Sequence, residues 1–542
     1  MTASPPKRHA LLLAVCCTAQ FMVILDVAIV NVALRSIRSS LGFSVLDLVW
    51  IVNAYTIAFA GFLMLGGRAS DLFGQRRTFI AGLLLFAAAS LAGGLAGSQG
   101  MLIGARAAQG LGGAVMAPAS LAIITSSFPA GPERIRAVGL WGAMNGAGGA
   151  TGTLLGGVIT QEAGWRWILL INLPIGIAAA LVARVAVAER RREGPRPSFD
   201  LAGALTVTGG LLALVYGIVS AGSRGWGSLN ALGPIGAGLV LLALFVAIEG
   251  RLAKAPLVPL RVFANRLLRM SNVVVVLFSA ALFPMWYLTT LYMQEVLHFS
   301  PLGAGVAFLP MALTIMACAT RAGPLVARYG AGPVLSGGLA LMAFGMALFA
   351  RVSVNGSYVG DVMVPGLLVA TGIGFSVVPS TIAATASAGP EEAGLASGLV
   401  NTSRQIGGAL GLAILTSLAA LYAKHLQTVD FRAPILALDD GFRLAYALGA
   451  ALAAAGALVT LRFLPRLPQR VAPDAPPRAV EAIPAATGAR ASATTALAAA
   501  EPAVGVASPN GGPASSAPAS ASARSSAAPS AGSAAGGGDD AA

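Results

Sequence analysis

Between two long apolar runs stands the charged stretch Gly66-Gly67-Arg68-Ala69-Ser70-Asp71-Leu72-Phe73-Gly74-Gln75-Arg76-Arg77. The first run ends near Leu65, and the second begins near Thr78. Charges at this density are costly in hydrocarbon, and irregular backbone is not tolerated where it faces lipid. The stretch therefore predicts a tight loop at a membrane face, with one membrane-spanning helix on either side.

The composition of the whole chain agrees with a membrane protein. Of the 542 residues, 56% are hydrophobic and 10% are charged, whereas soluble proteins are about 25% charged. Apolar runs of about 20 residues recur, and each is long enough to cross a bilayer as a helix. The formal net charge of +14 comes mostly from arginines in short loops, which is the pattern that sets membrane topology. We therefore predict no nucleic-acid partner.

The apolar runs predict fourteen spans, and an even number places both termini on one side of the membrane. One set of loops and termini carries 21 basic residues and the opposite set carries eight. This bias predicts cytoplasmic termini in a multi-pass protein of the inner (plasma) membrane. The predicted spans are 10–34, 46–66, 78–97, 100–128, 135–160, 166–188, 200–220, 230–249, 271–293, 303–322, 333–350, 359–382, 394–423 and 441–463.

Enzyme and cofactor signatures are missing from the sequence. Cys16, Cys17 and Cys318 lie in apolar runs and have no metal-ligand spacing. None of the three lysines follows a glycine, so the sequence contains no P-loop for ATP hydrolysis. We predict no catalytic residues, no metal and no cofactor.

An internal repeat relates the two halves of the chain. An offset of 256 residues carries Gly67, Gly74, Gly142, Asn145 and Gly152 onto identical residues at 323, 330, 398, 401 and 408. Such repeats place the substrate between the halves, near the bilayer midplane. We predict a cytoplasmic N-terminus (1–9), a six-helix bundle (10–190), two linking helices with basic loops (191–270), a second six-helix bundle (271–465) and a disordered cytoplasmic tail rich in Ala, Ser, Pro and Gly (466–542).

Two charged residues interrupt apolar spans in the first half. A carboxylate such as Asp26 costs about 2.5–3.5 kcal/mol at the centre of a span, and it is a candidate to gain and lose a proton as the protein opens to alternate sides. The alternative is an interfacial Asp26 that caps the outer end of the span. Arg106 is either a partner for a nearby acid or an arginine that reaches the surface along its own stem.

The fifth span carries Gly148, Gly152 and Gly156 at four-residue intervals, with Gly157 beside them. They form one helix face without side chains, which allows another helix to approach closely. Ordinary helix packing explains the same glycines. In the second half, Arg404 is either a charge in the central cavity or an anchor at the cytoplasmic side.

The spacing Gly67-x-x-x-Asp71-x-x-Gly74-x-Arg76-Arg77 resembles the signature loop between the second and third helices of the major facilitator superfamily. The surroundings of Asp26, of Arg106 and of Gly148 to Gly157 resemble the first-, fourth- and fifth-helix motifs of drug:proton antiporters. The run Trp165-Arg166-Trp167…Asn172-Leu173-Pro174-Ile175-Gly176 is similar to the fourteen-span drug exporters. Two positions depart from the family pattern, because Arg35 and Thr153 stand where it has proline.

This resemblance implies an all-α major-facilitator fold of two six-helix bundles and two linking transmembrane helices. It implies proton-motive-force-driven export of hydrophobic drugs or antibiotics by alternating access. The alternatives are a symporter that imports a nutrient and a membrane sensor that transports nothing. The expected partners are a small hydrophobic or cationic drug-like substrate, protons and the lipid bilayer, and the protein is expected to be a monomer.

The resemblance also assigns roles to residues. Asp26 and Arg106 are expected to couple transport to protons. The conformational lock is expected to comprise Gly67, Asp71, Gly74, Arg76 and Arg77, and the antiporter helix face Gly148, Gly152, Gly156 and Gly157. Candidates for the substrate cavity are Phe21, Asn31, Trp50, Asn53, Tyr55, Trp286, Tyr287 and Arg404.

Overall fold

A computed structural model describes residues 5–129, 131–189, 200–253, 256–385, 393–430 and 432–464. The predicted disordered tail, 466–542, lies outside these ranges. The described residues form fourteen long helices, numbered here in chain order: α1 Pro5–Leu41, α2 Val49–Phe73, α3 Gln75–Gly94, α4 Gln99–Ser127, α5 Pro132–Glu162, α6 Arg166–Ala186, α7 Leu201–Arg224, α8 Leu229–Leu252, α9 Arg266–Val296, α10 Pro301–Tyr329, α11 Ala331–Phe349, α12 Tyr358–Thr385, α13 Ala393–Thr428 and α14 Pro434–Phe463. A short 3₁₀ turn, Leu260–Ala264, precedes α9.

Thirteen of these helices contain a stretch long and apolar enough to cross a membrane. The exception is α5, which has 31 residues but is rich in glycine and contains Asn145. It packs between α1 and α10 rather than facing lipid alone, so high hydropathy is not required of it. The predicted all-α, multi-pass membrane architecture is confirmed, with α5 as the fourteenth long helix.

The opening stretch is not the loop that the sequence predicts. Helix α2 continues to Phe73 and α3 begins at Gln75, so Gly74 alone joins them. Gly74 has φ +94°, a conformation that glycine adopts without the steric cost of a Cβ. Gly330, its counterpart in the repeat, joins α10 to α11 with φ +88°. The charged turns remain helical because a helix satisfies its own backbone hydrogen bonds even where it leaves the hydrocarbon.

Several helices extend further than the predicted spans. Helix α1 ends at Leu41 rather than near residue 34, and α14 begins at Pro434 rather than near residue 441. Hydropathy locates the part of a helix inside the hydrocarbon, and these polar end turns lie beyond it.

Contacts group the helices along the lines of the repeat. Helices α1–α6 pack mainly on one another, α9–α14 do the same, and α7 pairs with α8 while also touching α2 and α13. The two groups meet where α2 contacts α13 and where α5 contacts α10. We call the end at which α1 begins and α14 ends the terminal end, and the opposite end the distal end.

The contact between α5 and α10 closes only at the distal end. A Cβ added to Gly305 would lie 2.4 Å from the carbonyl oxygen of Thr153, and one added to Gly157 would lie 2.8 Å from the Cα of Leu302. On the same face of α5, nearer the terminal end, Gly142 and Gly146 have open space before them. The two helices therefore diverge toward the terminal end, which the charge bias predicts to be cytoplasmic.

Candidate functional site

The two predicted coupling residues meet in the interior of the first helical group. A guanidinium nitrogen of Arg106, Nη1, forms an ion pair with Oδ2 of Asp26, although 80 residues separate them in the chain. The side chain of Asp26 is fully buried and that of Arg106 is 2% exposed. In this state, Asp26 does not cap the outer end of its helix at the interface, and Arg106 does not reach the surface. A buried pair of this kind holds together because removing either charge leaves the other uncompensated.

Two neutral side chains complete the hydrogen bonding of Asp26, and a third, Ser90, holds both of them. Its Oδ1 accepts from Nε2 of Gln109 at 2.7 Å and from Nδ2 of Asn172 at 3.2 Å. Ser90 accepts from the same two amides, at 2.9 and 3.2 Å, and donates to the carbonyl of Leu169 at 2.7 Å. Helices α1, α4 and α6 are thereby joined at the carboxylate of Asp26, and α3 joins them through the hydroxyl of Ser90. Sequence analysis missed Ser90 and Asn172 as parts of the site.

Arg106 is also held from the side of α2. Its Nε donates to the carbonyl of Ile51 at 3.0 Å, and its guanidinium lies 4.6 Å from the centre of the Tyr55 ring. Helix α4 approaches α2 this closely because Gly110 has no side chain, and a Cβ there would lie 2.3 Å from the Tyr55 carbonyl. Close packing explains Gly110, whereas the neighbouring Gln109 bonds both Asp26 and Arg106.

The predicted lock residues lie at the terminal end of α2 and α3. Arg76 pairs with Glu189 at 3.2 Å, and Arg77 lies 3.8 Å from the same carboxylate oxygen. A Cβ on Gly74 would collide with that carboxylate. Gly67 has only Pro118 near its Cβ position, at 3.9 Å. The side chain of Asp71 lies outside the described residues, so its role in the lock remains a prediction.

The predicted glycine face of α5 lies against α1. Cβ atoms at Gly148, Gly152 and Gly156 would fall within 3.0 Å of Ile24, Ala28 and Ile29, respectively. Gly157 instead faces α10, as described above. One side of α5 therefore seats the helix that carries Asp26, and the adjacent side meets the second half of the protein.

Three aromatic candidates for the substrate cavity contact residues of other helices or loops. Trp50 faces Tyr216 of the linking helix α7, with ring centres 6.2 Å apart. Tyr55 is buried beneath Arg106. Tyr287 is buried and donates to the carbonyl of Val45 at 3.2 Å, near the distal end.

The remaining candidates lie on helices at the boundary between the halves. Asn53 donates from α2 to the carbonyl of Ala409 in α13, at 3.2 Å. Trp286 packs on Phe308 with ring centres 4.9 Å apart. The other three candidates also lie on helices at this boundary: Phe21 and Asn31 on α1, and Arg404 on α13.

Sequence analysis did not predict a polar latch that joins the halves at the distal end. Arg38 at the end of α1 pairs with Glu295 at the end of α9, at 3.0 Å. Arg35 donates to the carbonyl of Gln294, whose side-chain amide donates back to the carbonyl of Val32 at 2.8 Å. In the sequence, Arg35 and Arg38 contributed only to the charge bias that predicts topology. Nothing indicated their partners, which lie some 260 residues further along the chain.

We expect Glu295→Gln to weaken this latch. The pair is partly exposed, so its loss should cost about 0.2–1 kcal/mol and shift the balance toward a distal-open state by roughly 1.4- to five-fold. Spin labels at the exposed residues Ser39 and Asn355, with the three native cysteines replaced, would report the distal separation. Glu162→Gln, at an exposed carboxylate at the distal end of α5, is the matched control. An unchanged distance distribution in Glu295→Gln would show that the pair contributes nothing to closure.

A comparison with protein families decides the assignment, because the model of the Major Facilitator Superfamily matches residues 16–412. The chain belongs to the major facilitator superfamily. The matched range includes the ion pair, the lock residues, the glycine face of α5 and Arg404. The predicted family is therefore confirmed, together with its fold.

Relatives within the superfamily include proteins named for antibiotic export and resistance. The chain is 42% identical to the cephamycin export protein CmcT of Amycolatopsis lactamdurans, over 74% of this chain and 83% of that protein. It is 40% identical to the puromycin resistance protein pur8 of Streptomyces alboniger, over 78% of this chain and 85% of that protein.

Solved structures agree on the fold. A POT-family peptide transporter superposes with a TM-score of 0.63 at 16% identity, over 84% of this chain and 96% of the other. A D-xylose–proton symporter gives a TM-score of 0.59 at 14% identity, over 84% and 98%. At such low identity, these structures bear on the architecture alone.

Proposed function

We propose that this protein exports drug-like or antibiotic molecules across the plasma membrane by alternating access, driven by protons that bind Asp26. The observation that carries the proposal is the buried ion pair between Asp26 and Arg106. Transporters commonly hold proton-relay acids inside the membrane, paired and facing the bundle interior. The names of the relatives support antibiotics as the substrate class.

In the distal-closed state, the carboxyl oxygens of Asp26 accept bonds from Arg106, Gln109 and Asn172. Protonation removes the charge and leaves the guanidinium of Arg106 buried without a counter-ion. Breaking a buried pair in this way costs about 3–5 kcal/mol. A rearrangement of α1 against α4 that admits water or a new partner relieves that cost, so protonation favours a different conformation.

Helix α1 connects this event to the opening of the protein. It carries Asp26 in the network and Arg35 and Arg38 in the distal latch, and its middle rests on the glycine face of α5. The contacts that hold the distal end closed therefore lie on the helix that carries Asp26, so opening of the distal end is tied to the charge of this carboxyl group. A free-energy change of a few kcal/mol is enough to reverse the populations of the distal-closed and distal-open states when the two are close in energy.

The direction of the cycle follows from the predicted orientation. With cytoplasmic termini, the cleft between α5 and α10 opens to the cytoplasm and takes up substrate there. A proton then enters from outside when the distal end opens, substrate leaves, and the proton is released inward after closure. Inward proton flow is thereby exchanged for outward drug flow.

Everted membrane vesicles test this proposal. Vesicles that contain the protein should accumulate puromycin or a cephamycin when their interior is made acidic, and a protonophore should abolish the accumulation. Vesicles without the protein are the control. Accumulation that persists without any gradient would contradict proton coupling, and accumulation only in right-side-out vesicles would contradict export.

A further inference from the structure

Arg404 lies on α13 between the face that packs on α9 and the face that meets α2. One face of α13 packs on α9, where Cβ atoms at Gly407 and Gly411 would lie 2.5 and 2.3 Å from carbonyl oxygens. A second face meets α2, where Gly398 lies beside the sulfur of Met64. Arg404 projects between these two faces, with the exposed Asn401 one turn toward the terminal end. It therefore faces the boundary between the two halves.

The hydrogen bonding of this guanidinium is incomplete in a specific way. Nη1 donates to Oδ1 of Asn401 at 3.2 Å. Nε and Nη2 are buried, and neither finds an acceptor among the residues that the structure describes. These two nitrogens form the side edge of the guanidinium, whose parallel N–H bonds match the two oxygens of a carboxylate. The edge suited to bidentate recognition is thus the one left unused.

A charged group in this condition requires an explanation. Leaving a buried charged donor without a partner costs more than the roughly 1–3 kcal/mol of a neutral one, and nearly all buried polar atoms in proteins are satisfied. Arg106 shows the usual arrangement, with a carboxylate, an amide oxygen and a carbonyl oxygen around it. Of these three kinds of acceptor, Arg404 has only an amide oxygen, that of Asn401.

We propose that Arg404 binds the carboxylate of an anionic drug. The preferred substrates are then amphiphilic monoanions. This proposal rests on the proposed export function. Phe283 supplies the apolar surface, because its ring lies against Gly408, one turn from Arg404 toward the distal end. A carboxylate on the side edge of Arg404 would place an apolar body beside that ring. The same site disfavours cations, which narrows the hydrophobic or cationic class expected from the sequence.

Binding of a matched pair of probes tests this inference without any proton gradient. The purified protein is titrated with a cephamycin, which carries a carboxylate, and with its methyl ester. We expect the wild type to bind the acid at least tenfold more tightly than the ester. Arg404→Gln should weaken binding of the acid on the order of 10- to 100-fold and leave the ester within about two-fold, and Arg404→Lys should recover part of the loss.

Arg321→Gln is the matched control, because Arg321 is exposed on α10 and donates to the carbonyl of Ala317 in its own helix. It should bind both probes as the wild type does. Equal weakening of acid and ester in Arg404→Gln, or equal binding of both by the wild type, would overturn the inference. Gradient-driven export of an uncharged or cationic drug by the same preparation would then leave the proposed function standing.

Discussion

Asp26→Asn is expected to reduce gradient-driven drug export by at least about 100-fold, to the level of vesicles without the protein. Asparagine keeps an oxygen for the amides of Gln109 and Asn172, but it cannot take up and release a proton. Without a titrating group, the conformational change is no longer tied to the gradient, and uphill transport stops. Drug accumulation in everted vesicles, with an imposed gradient, measures the loss.

Exchange of labelled for unlabelled drug at equal concentrations separates coupling from folding. A variant that has lost only the proton step should still exchange substrate, because exchange needs no net energy. Asp26→Asn leaves Arg106 buried without its counter-ion, which is destabilising. The double variant Asp26→Asn with Arg106→Gln removes both charges and should recover the folded yield, yet remain uncoupled.

Asp26→Glu retains a titratable group and is expected to keep part of the gradient dependence. Normal uphill export by a folded Asp26→Asn protein would remove Asp26 from the mechanism. The fold and the family assignment would be unaffected by that result.

The sequence identified the charged members of this site but not its extent. Asp26 and Arg106 were visible because a charge inside an apolar run is rare. Ser90 and Asn172 were not, since neutral polar residues occur throughout membrane helices and do not indicate a partner. Nothing in the sequence pattern showed that helices α1, α3, α4 and α6 would meet in one hydrogen-bonded network around Asp26.

The fold was predictable for a different reason. Span count and helical class follow from hydropathy and length, and the 256-residue offset placed Gly74 and Gly330 at corresponding positions of the repeat. The predicted loop at 66–77 was wrong because charge reports where a chain leaves hydrocarbon and not whether it stops being helical. The latch between Arg38 and Glu295 was missed because charged loop residues serve topology whether or not they are paired.

We expect Gly305→Val to prevent closure of the distal end and to reduce transport on the order of 10- to 100-fold. A Cβ at this position would lie 2.4 Å from the carbonyl oxygen of Thr153, and the backbone of α5 cannot yield as a flexible side chain would. Overpacking of this kind costs about 1–3 kcal/mol or more, and each 1.4 kcal/mol changes a conformational equilibrium about tenfold. The valine variant should therefore populate the distal-open state.

The spin labels at Ser39 and Asn355 measure this shift, and the expected result is a longer distal distance in Gly305→Val than in the wild type. Gly323→Val is the matched control, because Gly323 lies on the same helix with open space at its Cβ position. It introduces the same side chain into the same helix and should leave both distance and transport unchanged.

The two outcomes for Gly305→Val discriminate between closure and simple packing. If the contact between α5 and α10 is the distal seal, the variant should still bind drug from the distal side while failing to complete the cycle. A variant that keeps the short distal distance and wild-type transport would show that α10 moves away from Thr153 without opening the protein. The distal seal would then have to lie in other contacts, such as that between Gly157 and Leu302 or the latch at Glu295.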